Sequence, residues 1–268
     1  MNSTVERAIK CICERYSEPL SLADVANSAI LSRFHFSRIF RDATGVTPGR
    51  FLSAVRIYQA KRMLLTSTMN ITDIAFAVGY NSLGSFCNHF TDSVGVSAGR
   101  FRRISQDEGF EPPRPQAARS PRDGKIGGTI SFPGDHAGAR VYVGVFDTPI
   151  VQRKPASAVM VDVPSAQPCS YQLSGVPEGA WFVHAVAVAD STDPEPWTRR
   201  TMLVGSCGPL AVTARADIHA AIELRSRRPT DVPILLALPD LEDRLDRLAP
   251  AENKPLSGRS GLLSRSHA

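Results

Sequence analysis

The feature that most constrains this fold is a sixteen-residue unit that occurs twice in the first hundred or so residues. The first copy reads FSRIFRDATGVTPGRF at residues 36–51, and the second reads FCNHFTDSVGVSAGRF at residues 86–101. Eight of the sixteen aligned positions are identical, yet the basic residues of the first copy are largely missing from the second. A unit repeated in this way predicts two similar structural modules in tandem.

Each copy is predicted to complete a helix-turn-helix. Before the first copy, Ser21 is a typical N-cap for a short helix through Ser28. A second helix is expected from Ser32 to about Thr44, where Gly45 ends it. The same order of short helix, turn and longer helix recurs about fifty residues later. This order is the pattern of a helix-turn-helix motif.

The repeated residues are mostly those that allow each module to fold. In the first copy, an apolar stripe at i, i+3, i+4 and i+7 contains Phe36, Ile39, Phe40 and Ala43. In the second copy, the stripe contains Phe86, Phe90 and Val94. Both stripes are expected to pack on the preceding short helix. A long helix from residue 48 to about residue 66 is expected between the modules, and a final short helix covers about 98–103.

The chain changes character after a stretch rich in Pro, Arg and acidic residues. Beyond it, seven or eight short β-like runs are separated by turn signals, which is typical of a β-sandwich or barrel. The turn signals include Pro133-Gly134, Gly175-Val-Pro-Glu-Gly179 and Ser206-Cys-Gly-Pro209. We therefore expect a multidomain protein, in which an all-α double helix-turn-helix domain precedes an all-β sandwich domain.

The predicted boundaries follow these changes in composition. Residues 1–105 are assigned to the helical domain, 106–125 to a linker, 126–240 to the β-domain and 241–268 to a short helix and disordered tail. After Arg228, the run PTDVPILLALPDLEDRLDRLA is expected to form an edge segment or a short helix.

The net positive charge of the chain comes from its N-terminal part. Residues 1–105 contain 13 Lys and Arg against 7 Asp and Glu, whereas residues 106–268 contain 18 against 19. This asymmetry favours a polyanionic partner for the first part, although a solvated basic surface would give the same count.

Other classes of protein lack support in the sequence. No run of about 18 apolar residues is present, and the chain begins without a signal-peptide core, so we expect a cytoplasmic protein without membrane contact. The five cysteines are scattered without CxxC or zinc-finger spacing, which is typical of reduced, buried thiols. The histidines His136, His184 and His219 are isolated, so no metal, cofactor or catalytic group is expected.

Residues 1–104, about 40% of the chain, resemble the DNA-binding domain of the AraC/XylS family of bacterial transcription regulators. The motifs that resemble the family are Leu22-Ala-Asp-Val-Ala, Phe36-Ser-Arg-Ile-Phe-Arg-Asp-Ala-Thr-Gly, Arg56-Ile-Tyr-Gln-Ala-Lys-Arg-Met-Leu-Leu, Ile71-Thr-Asp-Ile-Ala-Phe-Ala-Val-Gly-Tyr and Gly95-Val-Ser. The resemblance implies binding to double-stranded DNA, with the two modules in successive major grooves, and contact with RNA polymerase. A nineteen-residue spacer helix spans about 28 Å, against about 34 Å between adjacent grooves.

The layout differs from that of many family members in two respects. The DNA-binding domain comes first here rather than last, and the second domain does not resemble the usual cupin barrel. Through Tyr171-x-Leu-x-Gly-Val-Pro-Glu-Gly, it is instead similar to the transthyretin-like or carboxypeptidase-regulatory-like β-sandwich. Such a domain is expected to bind a small-molecule effector, to form a homo-oligomer or to serve only as a protein-interaction module.

The first module is expected to read DNA through a face rich in arginine. Phe34, Ser37, Arg38 and Arg41 lie opposite the apolar stripe, and Arg33 lies beside them. By resemblance, Arg38 occupies the position of a base-reading arginine, since Arg is suited to guanine O6 and N7. We expect Arg33 and Arg41 to contact bases or phosphates, and Phe34 to contact a thymine methyl group. The alternative is a solvated basic helix.

The matching face of the second module contains no Lys or Arg. Its residues are Gly84, Cys87, Asn88 and Thr91, with Asn81, Ser82, Leu83 and Ser85 at or near its entry. Asn88 is suited to adenine and Leu83 to a thymine methyl group. The second module is therefore expected to bind more weakly and to read an A/T-rich half-site, unless it is mainly a structural prop.

The basic residues Arg50, Arg56, Lys61, Arg62, Arg100, Arg102 and Arg103 include candidates for phosphate contacts. Arg50 and Arg100, at equivalent repeat positions, are alternatively structural ion-pair partners.

A fused DNA-repair methyltransferase is the enzymatic alternative, but Cys11-x-Cys13 lacks an adjacent His and the flanking Pro-Cys-His-Arg motif.

Overall fold

The computed structural model describes residues 2–104, 120–134, 136–164, 168–191 and 200–238, which form a helical part followed by a β-rich part. Within residues 2–104, seven helices are present. They are α1 (Asn2–Arg15), α2 (Leu22–Ser28), α3 (Arg33–Thr44), α4 (Pro48–Thr66), α5 (Ile71–Ala77), α6 (Leu83–Val94) and α7 (Ala98–Ile104). Two helix-turn-helix modules, α2–α3 and α5–α6, therefore lie on either side of α4, as predicted.

Local signals in the sequence fix the ends of these helices. The Ser21 hydroxyl accepts a hydrogen bond from the backbone N–H of Asp24, whose carboxylate in turn accepts one from the backbone N–H of Ser21. This reciprocal capping box satisfies backbone donors that the first turn of α2 would leave unpaired. Gly45 and Gly95 end α3 and α6 in the left-handed conformation, with φ of 76° and 85°. Since L-residues rarely adopt this conformation, the repeated glycines set where both helices stop.

The phenylalanines of the repeat build the core of the helical part twice. In the first copy, Phe40 contacts Phe36 and Phe51, with ring centroids 5.3 and 5.4 Å apart respectively. The equivalent distances in the second copy are 5.5 Å for Phe86–Phe90 and 5.9 Å for Phe90–Phe101. All six rings are almost completely buried. The predicted apolar stripes are therefore confirmed, apart from one residue of the first.

Ala43 does not pack as predicted. It is exposed rather than buried in the helical core, and it borders a cavity beside the β-rich part. Helical spacing places Ala43 seven residues after Phe36, but Ala43 is the last residue but one of α3 and lines the cavity instead of the core. A periodic apolar residue near the end of a helix therefore need not face the same neighbour as the rest of its stripe.

The β-rich part contains two sheets. One sheet has the order β4–β1–β7, with β8 also paired to β1, and the other has the order β3–β2–β5–β6–β9. The strands are β1 (Gly124–Ser131), β2 (His136–Phe146), β3 (Ser157–Val163), β4 (Cys169–Val176), β5 (Gly179–Ser191), β6 (Arg200–Val212), β7 (Asp217–His219), β8 (Ile222–Glu223) and β9 (Arg225–Ser226). Ile126 and Leu173 from the first sheet share one apolar core with Val143 and Ala185 from the second.

The predicted turn at Ser206-Cys-Gly-Pro209 is wrong, because β6 runs through it without a break. The chain accommodates Gly208 and Pro209 with a shift in register, so that Trp181 pairs with Leu210 and Val183 pairs with Cys207. Gly208 has φ of 133°, and a Cβ atom there would lie 2.8 Å from the Trp181 carbonyl oxygen. A Gly-Pro pair that usually signals a turn here forms an irregularity inside a long strand.

After β9, residues 229–238, which we call the docking segment, form neither the predicted edge strand nor a short helix. Leu235 and Ala237 are buried in the core of the helical part. Leu236 and Leu238 are buried instead against side chains of the five-stranded sheet, such as Tyr142. Alternate side chains thus point in opposite directions, which inserts the segment as a layer between the two parts of the molecule.

Backbone hydrogen bonds fasten the β-rich part to the second module. The amide of Ala237 donates to the carbonyl oxygen of Val94 at 3.1 Å, and the amide of Arg153 donates to that of Ser93 at 2.8 Å. The Arg153 guanidinium also forms an ion pair with Asp92 at 3.1 Å. These contacts all converge on the C-terminal end of α6.

A buried lysine joins the docking segment to α4. The side chain of Lys61 is 3% exposed and donates to the carbonyl oxygens of Leu236 at 3.0 Å and Ile234 at 3.4 Å. Its Nζ atom also lies 5.4 Å from the centre of the Phe101 ring. A buried ammonium group needs such acceptors, because removal from water without them is costly.

Several predictions concern residues outside the described ranges. They include most of the proposed linker and the whole of the proposed tail at 241–268, while β1 already begins at Gly124. Within the described ranges, no helix combines the length and the hydrophobicity that a membrane span requires.

Stability is expected to fall in mild acid because of His184. Burial lowers the pKa of His184 from its usual 6.5 to about 4. Between those pH values the unfolded chain binds a proton at this position that the folded chain does not. The free energy of unfolding is therefore unaffected by His184 well above pH 6.5, and it decreases as the pH falls from about 6.5 toward 4. The contribution of His184 is a loss of about 2 kcal/mol between pH 7.5 and pH 5.

Urea unfolding at both pH values checks this expectation in the full chain and in two variants. His184→Gln should lose most of that pH dependence, whereas His219→Gln, at an exposed position, should retain it. Equal pH dependence in all three proteins would show that His184 has no such role.

Candidate nucleic-acid interface

The exposed side of α3 forms the first reading face, which comprises Arg33, Phe34, Ser37, Arg38 and Arg41. Phe36 and Phe40 point into the core and therefore turn this side of the helix outward. Arg33, Arg38 and Arg41 are exposed, Ser37 is half-buried, and Phe34 has 89% of its surface exposed. The structure thus brings all five predicted residues onto one accessible surface.

The first reading face carries positive charge that the protein leaves unneutralised. Within the described residues, none of Arg33, Arg38 and Arg41 forms an ion pair or a side-chain hydrogen bond. Three arginines together on one helical face, all available, are suited to phosphate and guanine acceptors.

The second reading face comprises Asn81, Ser82, Leu83, Gly84, Ser85 and Asn88, at the start and along the outer side of α6. All six residues are exposed. The Ser82 hydroxyl accepts a hydrogen bond from the backbone N–H of Ser85 and so caps the helix. Two of the polar residues therefore also stabilise the end of α6 that would enter a groove.

The two reading faces occupy equivalent positions but differ in chemistry. Phe36 aligns with Phe86, so that Arg38 corresponds to Asn88, Arg33 to Leu83 and Arg41 to Thr91. Cys87, which corresponds to Ser37, is half-buried and packs against the core. The first face therefore offers three cationic groups, whereas its counterpart offers amide, hydroxyl and apolar groups.

A polar pair behind the second reading face was not predicted from the sequence. The Tyr80 hydroxyl and the Nδ1 atom of His89 are 2.6 Å apart, and burial lowers the pKa of His89 and raises that of Tyr80 to about 12. At the equivalent positions the first module has Leu31 and Ile39, which are partly buried against the core. Alignment of the repeats would have revealed this exchange of an apolar pair for a hydrogen-bonded one.

Three of the predicted phosphate-binding candidates are used inside the protein. Arg56 donates to the carbonyl oxygens of Tyr16 and Glu18, both at 2.7 Å. Arg102 donates to the carbonyl oxygens of Leu64 and Met69, and Lys61 donates to the docking segment as described above. These three side chains hold loops and helices together, so they are not available to phosphates.

The remaining candidates, Arg50, Arg62, Arg100 and Arg103, are exposed. In the part of the chain that the structure describes, neither Arg50 nor Arg100 forms an ion pair, so the alternative structural role for these two repeat-equivalent residues gains no support. All four remain candidates for phosphate contacts.

The β-rich part docks without covering the reading faces. Its contacts with α3 and α6 are near their C-terminal ends, where Pro149 lies close to Gly45 and Leu236 lies close to Gly95. Phe34, near the N-terminal end of α3, and Asn88, on the outer side of α6, are both exposed. The described residues therefore leave access for a duplex along both faces.

Replacement of Phe34 by alanine is expected to weaken DNA binding without loss of stability. The ring gains nothing from the protein core, because 89% of its surface is exposed. Contact with a thymine methyl group would bury part of that surface, which contributes about 1 kcal/mol. Fluorescence anisotropy with labelled duplex should show this loss at an unchanged melting temperature. Unchanged affinity would exclude a contact by Phe34.

Within the described ranges, no three His, Cys, Asp or Glu side chains are grouped so as to hold a metal ion. The cysteines Cys11, Cys13, Cys87, Cys169 and Cys207 are all free. Desolvation raises the pKa of the Cys13 thiol, which disfavours the thiolate needed for nucleophilic chemistry.

Comparison with known proteins places the interface in a family. A family of helix-turn-helix domains matches residues 25–104. The "Probable transcription factor PqrA" of Proteus vulgaris is 30% identical over 86 residues, which are 32% of this chain and 70% of that protein. The "Lactose operon transcription activator" of Staphylococcus xylosus is 29% identical over 102 residues, which are 38% of this chain and 37% of that protein.

A further relative combines two activities. The "Bifunctional transcriptional activator/DNA repair enzyme AdaA" of Bacillus subtilis is 30% identical over 104 residues, which are 39% of this chain and 49% of that protein. This chain spans about a third to a half of the length of the first curated relatives that it matches.

Among solved structures, the DNA-binding domain of AdpA in complex with a target DNA is 28% identical. The match covers 38% of this chain and 92% of that one, with a TM-score of 0.37.

Proposed function

The chain belongs, through residues 25–104, to the AraC/XylS family of helix-turn-helix proteins, and we propose that it is a sequence-specific transcription regulator that binds double-stranded DNA. The observation that carries this proposal is the first reading face, on which three exposed arginines lie together without a partner among the described residues. A folded protein that leaves such a cluster free is suited to a polyanion.

We propose that the two modules occupy successive major grooves and read different half-sites. Helix α4 has nineteen residues and therefore spans about 28 Å, which suits modules on adjacent turns of a duplex about 34 Å apart. In this proposal Arg38 reads guanine, and Asn88 contacts adenine in an A/T-rich half-site. The other residues of the two reading faces supply phosphate contacts and apolar contacts with thymine.

The β-rich part is proposed to be a regulatory β-sandwich of about residues 126–240, connected to a DNA-binding domain of about residues 1–105. Its two sheets share one core, as the sheets of a sandwich do. It would bind an effector or support a homo-oligomer, and DNA-bound regulators of this type would contact RNA polymerase. We propose no enzymatic activity, since the match to the relative with a repair activity covers 39% of this chain and burial raises the pKa of the Cys13 thiol, which disfavours a nucleophilic thiolate there.

Selection from a randomised pool of duplexes with the full chain tests the proposed function. The selected duplex should outcompete random duplexes by about a thousandfold or more at physiological ionic strength. Binding that does not distinguish the selected duplex from random ones would contradict a sequence-specific regulator and leave only a basic protein that attracts nucleic acid.

A further inference from the structure

A cavity lies between the two parts of the molecule, at the C-terminal end of the reading helix α3. Its volume is about 870 Å³, which is within the range of small-molecule sites. Thr44 and Gly45 at the end of α3 line one side. Val186, Val204 and Ser206 of β5 and β6, on the face of the sheet that points away from the core shared by the two sheets, line the opposite side. A ligand that fills this cavity would touch both the helical part and the β-rich part.

The rim of the cavity carries an excess of positive charge. Arg225 forms a bidentate pair with Asp231, with both N–O distances 2.7 Å, so these two groups neutralise each other. Arg227 and Arg228 also line the cavity, and within the described ranges neither forms an ion pair. Glu223 is the remaining carboxylate among the lining residues. The Arg227 guanidinium lies 5.8 Å from the centre of the Tyr58 ring, a contact that leaves its charge without an anion. Two guanidinium groups without an ion-pair partner, against one carboxylate, favour an anionic group.

His184 provides a second, independent feature on the same side of the sheet. Its Nε2 atom lies 3.3 Å from the carbonyl oxygen of Thr148, which can only accept, so Nε2 carries the proton. Nδ1 is then an acceptor, and within the described residues it has no hydrogen-bond partner. The residue is 9% exposed, and its ring stacks on Phe182 with an angle of 22° between the planes. This arrangement offers one acceptor beside a flat aromatic surface.

We infer that the cavity binds a small organic anion that has a flat apolar body and one hydrogen-bond donor. The negative group faces Arg227 and Arg228, the body lies over Val186 and Val204, and the donor meets Nδ1 of His184. The inference gives the proposed regulatory role a site and a class of effector, and its biological meaning rests on that role.

The location of the cavity allows a bound ligand to affect the first reading face. The end of α6 is already attached to the β-rich part by the amides of Ala237 and Arg153. The end of α3 instead borders the cavity, so a ligand that fills it adds contacts between α3 and the sheet. Because binding energies are reciprocal, a ligand that favours this arrangement alters operator affinity through the first module.

Calorimetric titration of the full chain with 6-hydroxy-2-naphthoate tests the site, because this probe has the inferred charge, shape and donor. The carboxylate should bind. The neutral 6-hydroxy-2-naphthamide should bind more weakly, with a loss in affinity of about tenfold or more. The double variant Arg227→Ala, Arg228→Ala should lose about tenfold or more in affinity for the carboxylate. Arg122→Ala removes an exposed arginine elsewhere on the β-rich part and should bind like the unaltered chain.

Ser206→Trp separates loss of the site from loss of the fold. Ser206 is exposed and pairs across the sheet with His184, so a tryptophan there fills the cavity at little risk to folding. This variant should melt like the unaltered chain and fail to bind the carboxylate. The inference is overturned if the carboxylate does not bind, if the amide binds equally well, or if Ser206→Trp binds unchanged. Since the titration uses no DNA, probe binding without operator binding would overturn the proposed function alone.

Discussion

Replacement of Arg38 by alanine will weaken binding to a selected operator by about 1–3 kcal/mol, or about fivefold to 150-fold. Arg38 is exposed at the centre of the first reading face and forms no ion pair within the described residues. Its guanidinium group is therefore free to donate to both O6 and N7 of a guanine, and alanine removes both donors. Specificity at the contacted base pair should relax at the same time.

Asn88→Ala is the matched variant, because Asn88 occupies the equivalent position of the second module. It lacks charge, so its removal should cost less than the removal of Arg38 and should leave the salt dependence of binding unchanged. Anisotropy titrations at several salt concentrations measure both quantities for both variants. Equal losses would contradict the proposed asymmetry between the half-sites, and no loss for Arg38→Ala would remove Arg38 from the reading face.

Replacement of Lys61 by alanine will destabilise the full chain by about 3 kcal/mol. The Lys61 ammonium group donates to the carbonyl oxygens of Leu236 and Ile234, in a place where its own side chain is 3% exposed. Alanine leaves buried acceptors without this donor and opens a space beside Phe101. Because these carbonyl oxygens belong to the docking segment, its attachment to the helical part should loosen first.

Hydrogen exchange and urea unfolding report on these two effects separately. The amides of Ala237 and Arg153, which donate to the end of α6, should exchange faster in Lys61→Ala. Arg62→Ala is the control, since Arg62 is the next residue along α4 but is exposed. The control should change stability by less than about 0.5 kcal/mol. If the two variants have the same stability, Lys61 does not hold the docking segment.

The helical part was predictable from the sequence because its signals are local. The capping box of Ser21, the glycines that end α3 and α6, and Pro48 at the start of α4 each act within one helical turn. The repeat strengthened these predictions, since the glycines Gly45 and Gly95 end equivalent helices in the two modules. Ala43 departed from the expected stripe, near the C-terminal end of α3, where it borders the cavity.

The contacts between the two parts were not predictable, because they join residues far apart in the chain. Nothing near Lys61 indicates that its ammonium group will meet carbonyl oxygens more than 170 positions away. Its basic character instead suggested a phosphate contact. The docking segment likewise has an apolar pattern that fits a strand or a helix equally well, and the layers on either side of it decide its conformation.

The residues of the first reading face could also be predicted from the sequence, as far as their exposure is concerned. Exposure of Arg33, Arg38 and Arg41 followed from the helical period, and the structure places them as expected. The strand β6 shows the opposite case, because Gly208-Pro209 has the composition of a turn while the pairing of β5 with β6 continues on both sides of it. A short-range turn signal does not produce a turn when strand pairing on both sides of it favours a continuous strand.

Hydroxyl-radical footprinting of the full chain on its selected duplex tests most directly whether two unlike modules read neighbouring turns of DNA. Two protected segments are expected on one face of the duplex, with centres about 10 base pairs apart. Protection of one segment should weaken in Arg38→Ala, while that of the other should weaken in Asn88→Ala. A single protected segment, or protection that is the same on random duplexes, would contradict the account.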